Sequence, residues 1–495
     1  MADSPTPLSP LSDPTLPERT RRRVTWHLLP YLFFLYILAY IDRTNVAVAM
    51  AGMKLPPEQG GVAFNALISG FGTGLFFWGY WILEIPSAQS VLTRGARWVF
   101  VRILVLWGLA CLLIGFIGLP WFNQLFFWLP PVNTWPGSAY YPSWFFPHQA
   151  IPEQDQEPSS LAPPDQQAIV QFYLLRFLLG VFEGGFFPTV IFYLSIWFRP
   201  QDRGRAMATF LAAIPVSGLI GTPLSQAIMD HIHWGGLPGW RWIYILQGAV
   251  PILAGFVTLF FLPNRPEQAH WLPQDEKRWL TSELADEQQK RKGHGWGGQV
   301  WLVLLLTLYY FCMNVTSYGV STFLPTLMKS QSGLDQSVAG YVAALPYLFA
   351  VLGMVFNGWH SDKYRERIWH TVAPLTGLSL GLMATATAVL LDKGWLAAIF
   401  LIVLVGPCMY AHLPAFWPIP TIFMGAAAAA AAIGFINMLG NLGGSVGPTI
   451  FGLFLDNQRY AAGLYVLGTF PLGSVAVILL VAWVRRERIA AAQNE

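Results

Sequence analysis

Residues 300–328, VWLVLLLTLYYFCMNVTSYGVSTFLPTLM, form an apolar run of 29 residues without a single Asp, Glu, Lys or Arg. The hydrocarbon core of a bilayer is ~30 Å thick, and a helix of ~20 mostly apolar residues crosses it. Because no water is available there, the backbone must satisfy its own hydrogen bonds, and a helix does so locally. This stretch therefore predicts a membrane-spanning helix.

Apolar runs of similar length recur along the whole chain. The chain has 495 residues, of which 54% are hydrophobic and only 11% are charged, whereas soluble domains carry about 25% charged residues. We predict an all-α polytopic membrane protein with twelve spans, at residues 26–50, 64–92, 98–119, 168–198, 204–232, 240–262, 300–328, 337–359, 368–391, 395–424, 426–455 and 461–484.

The distribution of basic residues predicts the orientation of the spans. With the N-terminus inside, 22 of the 29 Lys and Arg residues fall in inside segments, as the positive-inside rule requires. Both termini are therefore expected to be cytoplasmic, in a multi-pass protein of the inner or plasma membrane. Residues 1–25 are rich in Pro and have no apolar core typical of a signal peptide, so we interpret them as a disordered tail.

A charged segment at residues 263–298 divides the chain into two parts with six predicted spans each. We predict an N-terminal half at 26–262, a C-terminal half at 299–485 and a tail at 486–495, with an amphipathic surface helix inside the linker. Equal span numbers suggest an internal repeat. Residues 119–167 contain no Lys or Arg and form an extracytoplasmic insertion, either a lid over the outer vestibule or an addition without a transport role.

Four charged residues lie inside predicted spans, where a charge is costly and each one is a functional hypothesis. Asp42 and Arg43 are adjacent in the first span, whereas Arg176 and Glu183 are seven residues apart in the fourth and therefore lie on one helix face. A buried carboxyl group can exchange protons, and a buried Arg can bind a carboxylate. The alternative is that each of the two pairs is a structural ion pair.

Other polar residues in the spans are weaker candidates, since each could equally serve packing between helices. These are Tyr80, Tyr318, Trp417, Asn437 and Asn441, while Glu84 and His412 remain ambiguous. The chain shows no phosphate-binding loop and no cluster with metal-ligand spacing. We therefore expect a protein that is not an enzyme and that uses no cofactor and no metal.

Six motifs together resemble the major facilitator superfamily and, within it, the anion:cation symporter family, which includes tartrate, phthalate, hexuronate and galactonate carriers. The motifs are YILAYIDRTN at 36–45, GYWILEIPS at 79–87, RFLLGVFEGGFFP at 176–188, GWHSDK at 358–363, FWP at 416–418 and NMLGNLGG at 437–444. The resemblance covers nearly the whole chain except the tail, the 119–167 insertion and the C-terminus.

This resemblance implies a role for each matching residue. Asp42 and Glu183 correspond to the titrating carboxyl groups, Arg176 to the residue that tunes Glu183, and Arg43 to the contact for the substrate anion. Further positions that the resemblance places in the central cavity are Tyr40, Tyr80, Trp417 and Asn437. The loops with Arg97, Asp362, Arg365 and Arg367 correspond to the gating latch, although the first loop lacks the aspartate usual in the superfamily.

The function that we expect is secondary active transport by alternating access between two six-helix halves. Proton-coupled uptake of a small organic anion, such as a sugar acid, a dicarboxylate or an aromatic acid, is the first hypothesis. An exporter or exchanger of the same fold is the alternative, and a membrane sensor without transport is a remote one. The expected partners are the anion, protons and the lipid bilayer, with no nucleic acid, and the expected state is a monomer.

Overall fold

The computed structural model describes residues 15–128, 165–290, 299–424 and 426–484. The expectations for residues 1–14, for most of the insertion (129–164), for the end of the linker (291–298) and for the C-terminal tail (485–495) lie outside these ranges. We describe the helices on either side of the linker as the first half (residues 16–261) and the second half (residues 300–484).

The first half contains ten helices in its described residues. They are α1 (Leu16–Thr44), α2 (Val46–Met53), α3 (Ala66–Arg94), α4 (Ala96–Ile114), α5 (Pro120–Leu125), α6 (Gln166–Glu183), α7 (Phe186–Ser195), α8 (Pro200–Leu211), α9 (Ala213–His231) and α10 (Gly239–Phe261). Helix α11 (Gln274–Lys290) follows in the linker.

The second half continues the numbering, again for the described residues only. It comprises α12 (Val300–Ser332), α13 (Gln336–Val342), α14 (Leu345–Tyr364), α15 (Ile368–Leu390), α16 (Gly394–Phe400), a π-helical turn at Leu401–Val405, α17 (Gly406–Met409), α18 (Leu413–Phe416), α19 (Ile419–Phe423), α20 (Ala426–Gly440), α21 (Gly443–Asp456) and α22 (Tyr460–Val484).

Within the described ranges, twelve helical segments are long and apolar enough to cross a bilayer, and several of them consist of two consecutive helices. The predicted all-α fold with twelve spans is therefore confirmed. An even span number places Leu16 and Val484 on the same side, which we call the inner side. The opposite, outer side then holds the connection between α2 and α3.

Helix α1 begins ten residues earlier than the start predicted for the first span, and this differs from the disordered tail expected up to residue 25. Leu16 is fully buried, and Arg19 contacts Asp275 and Glu276 of α11. Arg23 lies one turn further along and also reaches Glu276, at 3.5 Å. The linker helix therefore provides an acidic surface that holds the inner end of α1 in helical form.

The two halves meet closely along α3 and α21 on the outer side. A Cβ atom on Gly70 would lie 2.3 Å from the carbonyl oxygen of Pro448, and one on Gly452 would lie 2.7 Å from that of Ala66. Such distances require glycine, because only backbone without side chains can approach so closely. The outer side of the interface is therefore closed in this conformation.

The Asp456 carboxylate strengthens this closure, because its two oxygens accept hydrogen bonds of 2.8 Å from the backbone N–H groups of Ala66 and Leu67. These groups begin α3 and have no acceptor within their own helix. Asp456→Ala is expected to remove hydrogen bonds to a charged group, each worth about 1.5–3 kcal/mol, and to shift the protein toward conformations that are open outward.

Spin labels at Lys54 and Gln458 can measure this conformational shift by double electron–electron resonance, since both residues are exposed at the outer ends of the two halves. Asp456→Ala should lengthen the distance between the labels. Asn457→Ala is the control, because the side chain of Asn457 bonds only within its own turn. Identical distance distributions in Asp456→Ala and in the parent protein would show that the carboxylate does not hold the outer side closed.

Candidate functional site

Arg43 lies at the centre of the molecule, near the end of α1 and close to the interface between the halves. Its side chain is almost completely buried. The Nε and Nη2 atoms of Arg43 donate to Oε1 of Glu183 in α6, at 2.8 and 2.5 Å. Nη1 donates to the hydroxyl of Tyr318 in α12, at 3.3 Å. The guanidinium therefore joins a carboxylate of the first half to a hydroxyl of the second.

Three aromatic rings surround the same guanidinium. Its central carbon lies 4.8 Å from the ring centre of Tyr40, 4.9 Å from that of Tyr80 and 5.3 Å from that of Phe76. Ring faces attract a cation most strongly where water is excluded. The rings hold Arg43 in one place without occupying the hydrogen-bond donors that bind the Glu183 carboxylate.

The Asp42 side chain points away from Arg43, toward Trp107 and Cys111 of α4. Its carboxylate accepts hydrogen bonds from the indole of Trp107, from the thiol of Cys111 at 3.4 Å and from the amide of Asn45 at 3.5 Å. Consecutive helical residues point in different directions. Asp42 is consequently not the ion-pair partner of its neighbour Arg43.

Arg176 is completely buried in α6, and it donates from Nη1 to the backbone carbonyl of Asp42, at 3.2 Å. Its Nε and Nη2 atoms have no hydrogen-bond partner among the described residues. The direct partner of Glu183 is Arg43 of α1, so the pairing of Arg176 with Glu183 that their shared helix face suggested is not formed. Both α6 residues instead contact consecutive positions of α1.

Glycines allow α6 to approach α3 closely enough to bury these charges. A Cβ atom on Gly180 would lie 1.9 Å from the carbonyl oxygen of Phe76, and one on Gly184 would lie 2.6 Å from that of Tyr80. Gly185 follows with φ at +93° and ends α6 before α7 begins. The glycines on either side of Glu183 thereby permit the close approach of α3 to α6.

The remaining residues predicted for the cavity have different surroundings. Tyr80 is buried and its hydroxyl has no partner, and the same is true of the indole nitrogen of Trp417. Trp417 contacts Phe187 of the first half, with ring centres 6.0 Å apart. Asn437 donates to Oε1 of Glu84, at 2.8 Å. Glu84 thus belongs to the central interface, although the sequence left it ambiguous.

A small cavity lies next to Arg43, between the halves. It is lined by the hydroxyl, amide or imidazole side chains of Tyr40, Tyr310, Asn314, Ser317, Tyr318, Tyr410 and His412 and by the apolar side chains of Ile214, Met313 and Leu413. His412, the second residue that the sequence left ambiguous, is fixed by a hydrogen bond of 2.7 Å between its Nδ1 and the hydroxyl of Tyr309. The volume of about 20 Å³ suits a single water molecule, so the cavity must widen to admit a larger solute.

The residues of the predicted latch lie at the inner side and interact within their own halves. Arg97 donates to the carbonyl of Leu262 at 2.6 Å, and Asp362 pairs with Arg367 at 2.6 Å. Arg365 has φ at +53° and ends α14. None of the hydrogen bonds or ion pairs that the structure describes for these residues joins Arg97 to Asp362, so the latch role stays a prediction.

Buried polar atoms without partners are rare in proteins, yet several of them surround Arg43. They are Oε2 of Glu183, Oε2 of Glu84, the hydroxyl of Tyr80 and the indole nitrogen of Trp417. The hydroxyl of Tyr80 and the indole nitrogen of Trp417 can bind a polar solute that enters between the halves, and the carboxyl oxygens of Glu183 and Glu84 can bind water there. Among the described residues, no group of three or more His, Cys, Asp or Glu side chains could hold a metal ion.

Comparison with known proteins agrees with this architecture. The family model described as Major Facilitator Superfamily matches residues 160–448. A putative tartrate transporter of Agrobacterium vitis is 32% identical, over 94% of this chain and 92% of the relative. A quinolone resistance transporter of Acinetobacter baumannii is 30% identical, over 94% and 96%.

Among solved structures, the xylose transporter XylE from E. coli in a partially occluded inward-open conformation resembles this chain with a TM-score of 0.66. The sequence identity is 14%, over 93% of this chain and 97% of XylE, so this likeness concerns the fold alone. The family match extends over more than half of the chain and agrees with the recognition from sequence motifs. The chain therefore belongs to the Major Facilitator Superfamily and is a multi-pass membrane transporter.

Proposed function

We propose that this transporter couples the uptake of a small organic anion to protons, with Arg43 as the anion site and Glu183 as a proton site. The observation that carries the proposal is the buried ion pair between Arg43 and Glu183 at the interface of the halves. A guanidinium binds carboxylates through two parallel hydrogen bonds. A substrate carboxylate can therefore take the place that Glu183 occupies on Arg43.

The charge balance of the pair explains why a proton accompanies the anion. Arg43 and Glu183 form a neutral unit, and an added anion would leave one uncompensated charge in a site without water. Such a charge costs several kcal/mol. If Glu183 takes up a proton as it releases Arg43, the site stays neutral with the anion bound. Proton and anion then enter and leave together, as a symporter requires.

Asp42 and Arg176 lie next to this ion pair and support the joint binding of the proton and the anion. Asp42 provides a second carboxyl group beside Arg43, and three donors from its surroundings stabilise its charge. Arg176 binds the backbone of Asp42 and so links α6 to the segment that carries the anion site. We propose that Asp42 is the second proton-exchanging carboxyl group and that Arg176 adjusts the local potential for both carboxyl groups.

The lining of the cavity and the names of two relatives support one substrate class. Hydroxyl and amide groups of Tyr310, Asn314, Ser317 and Tyr410 line the cavity opposite Arg43, and such groups suit a solute that carries hydroxyls beside its carboxylate. Two relatives from Agrobacterium vitis carry names for tartrate transport. We propose a hydroxylated acid such as tartrate, carried into the cytoplasm by a monomer whose termini both lie on the cytoplasmic side.

Purified protein in liposomes with an internal pH dye tests this function. Addition of tartrate outside, without a pH gradient, should acidify the interior while labelled tartrate accumulates, and an inward proton gradient should drive uptake further. Galactonate, phthalate and a neutral sugar such as xylose serve as comparisons in the same assay. Tartrate uptake without proton movement would contradict the coupling, and transport of xylose alone would contradict the anion site.

Export of an organic solute is the second candidate, and the relative named for quinolone resistance favours it. The same liposomes distinguish the two directions when the driving proton gradient is reversed. Faster transport of the solute from the inner face than from the outer face of the protein, at equal solute concentrations, would support export.

A further inference from the structure

Glu84 is a carboxyl group at the interface of the halves that the transport cycle described above does not use. It lies one helical turn beyond Tyr80 on the same face of α3, toward the inner side, and only 2% of it is exposed. Its Oε1 atom accepts the hydrogen bond from Asn437 of α20. A carboxyl group of the first half thereby connects directly to an amide of the second.

The surroundings of Glu84 do not favour a charged carboxylate. Among the described residues, no ion pair includes Glu84, and its Oε2 atom is buried without a hydrogen-bond partner. Glu183 differs, since Arg43 compensates its charge. A buried carboxylate with one amide donor and no cation is strongly unfavourable. A carboxylic acid fits better, because its carbonyl oxygen accepts from Asn437 while the proton lies on Oε2.

We propose that Glu84 is a third proton-binding site, which holds its proton while α3 and α20 are in contact and releases it when they separate on the inner side. The inference rests on the proposed proton-coupled transport. As Asn437 withdraws, water reaches the carboxyl group. The O–H bond of Oε2 then breaks, the proton passes to water and into the inner solution, and the carboxylate that remains is hydrated.

None of the ion pairs that the structure describes joins Glu84 to a cation on the helices in contact with α3, so the closed interface favours the protonated carboxyl group. Helix α20 carries no titratable side chain, and α21 carries only Asp456, at the outer end. The titratable groups on the other helices in contact with α3 and on α3 itself are Arg97, Arg102 and Cys111 of α4, Tyr173, Arg176 and Glu183 of α6, Tyr193 of α7, and Tyr80 and Arg94 of α3, and Arg43 of α1 lies over the ring of Tyr80.

Separation of the halves at the inner side is linked to the protonation state of Glu84. The protonated form stabilises the contact with Asn437, and the ionised form is stable only in water. A pH gradient across the membrane therefore drives opening at the inner side, where the proton leaves. After the inner side closes and the outer side opens, Glu84 regains a proton from the outer solution, so each cycle carries one proton more than the anion site alone and the ratio of protons to anions rises accordingly.

Glu84→Gln tests the inference, because glutamine keeps an acceptor oxygen for Asn437 and cannot exchange a proton. Infrared spectra of the purified protein in lipid near neutral pH should contain a carboxylic-acid C=O band in the parent that the variant lacks. In liposomes, Glu84→Gln should retain tartrate exchange within about twofold, while the number of protons per tartrate falls and net uptake loses much of its pH dependence. Glu84→Asp should restore both properties in part.

Two results would overturn the inference. The first is identical carboxylic-acid bands in the parent and in Glu84→Gln, which would mean that Glu84 is ionised in the closed interface. The second is an unchanged proton-to-tartrate ratio in the variant. If the parent itself moves tartrate without protons, or moves none, the proposed function fails, and the infrared comparison still decides whether Glu84 holds a proton.

Discussion

Arg43→Ala is expected to abolish tartrate binding and proton-coupled uptake, and this is the largest effect on function that the structure predicts. The substitution removes the guanidinium that joins Glu183 to Tyr318. Truncating one partner of a buried ion pair costs about 3–5 kcal/mol, because the remaining charge must be neutralised. The loss of binding follows separately, since no second cation contacts the carboxylate of Glu183 among the described residues.

A thermal-shift measurement on the purified protein separates these two losses. A ligand that binds the native state raises Tm by mass action, so tartrate should raise Tm of the parent and leave that of Arg43→Ala unchanged. The double variant Arg43→Ala with Glu183→Gln should recover part of the stability, because no charge is left unpaired, and should still fail to bind or transport tartrate.

Arg241→Ala provides the matched control, since Arg241 is also buried but lies at the outer side of the first half. Its guanidinium donates to the carbonyls of Gly115 and Ile117, at 3.0 and 2.7 Å, and contacts no carboxylate in these hydrogen bonds. We expect a lower Tm with the tartrate-dependent shift preserved. A shift that persists in Arg43→Ala would place the anion site elsewhere and make Arg43 a structural partner of Glu183.

The number of spans and the burial of four charged residues were predictable from the sequence, because both depend on local composition. An apolar run long enough to cross a bilayer does so wherever it lies in the chain. A charge inside such a run must face the protein interior. Asp42, Arg43, Arg176 and Glu183 are accordingly all buried, as their positions in the runs indicated.

The pairing of these charges was not predictable, because it depends on how each helix is rotated about its axis and on how deep each residue lies in the membrane. Adjacent residues of a helix point ~100° apart, so Asp42 faces α4 while Arg43 faces α6. Arg176 and Glu183 share one face but lie ~10 Å apart along the axis, so they contact different residues of α1. Only the tertiary arrangement that brings the ends of α1 and α6 together determines that Glu183 pairs with Arg43.

Glu84 shows which signal could have extended the prediction. Four residues separate it from Tyr80, so the two share a helix face, and Tyr80 was already a candidate for the cavity. The spacing alone could not reveal Asn437 as its partner, since that contact joins residues 353 positions apart in the chain. Contacts between the halves leave no periodic pattern in the sequence of either half. The partners at the interface could therefore be identified only from the structure.

Gly180→Ala is expected to disrupt the site as strongly as the loss of a charged residue, although it adds a single methyl group. The new Cβ would lie 1.9 Å from the carbonyl oxygen of Phe76 and 2.9 Å from the amide nitrogen of Tyr80. Both atoms belong to the backbone of α3, so no side chain can move aside. Helices α3 and α6 must separate by about an ångström or more, and overpacking of this kind costs about 1–3 kcal/mol.

The separation moves Glu183, which lies three residues beyond Gly180 in α6, away from Arg43 and from the rings of Tyr80 and Phe76. A displacement of about 1 Å in a functional site can reduce its activity on the order of 100-fold. We expect tartrate uptake by Gly180→Ala to fall on that scale, with a smaller fall in Tm than for Arg43→Ala.

Gly434→Ala makes the same chemical change in α20, where nothing lies within 4 Å of the added Cβ. Alanine favours a helix over glycine by about 1 kcal/mol, so this variant should keep normal uptake and be at least as stable as the parent. The comparison isolates helix approach from helix propensity, because both glycines lie inside helices. Normal uptake by Gly180→Ala would show that the site tolerates a wider gap between α3 and α6. The close approach of these helices would then not explain why the ion pair of Arg43 and Glu183 is buried.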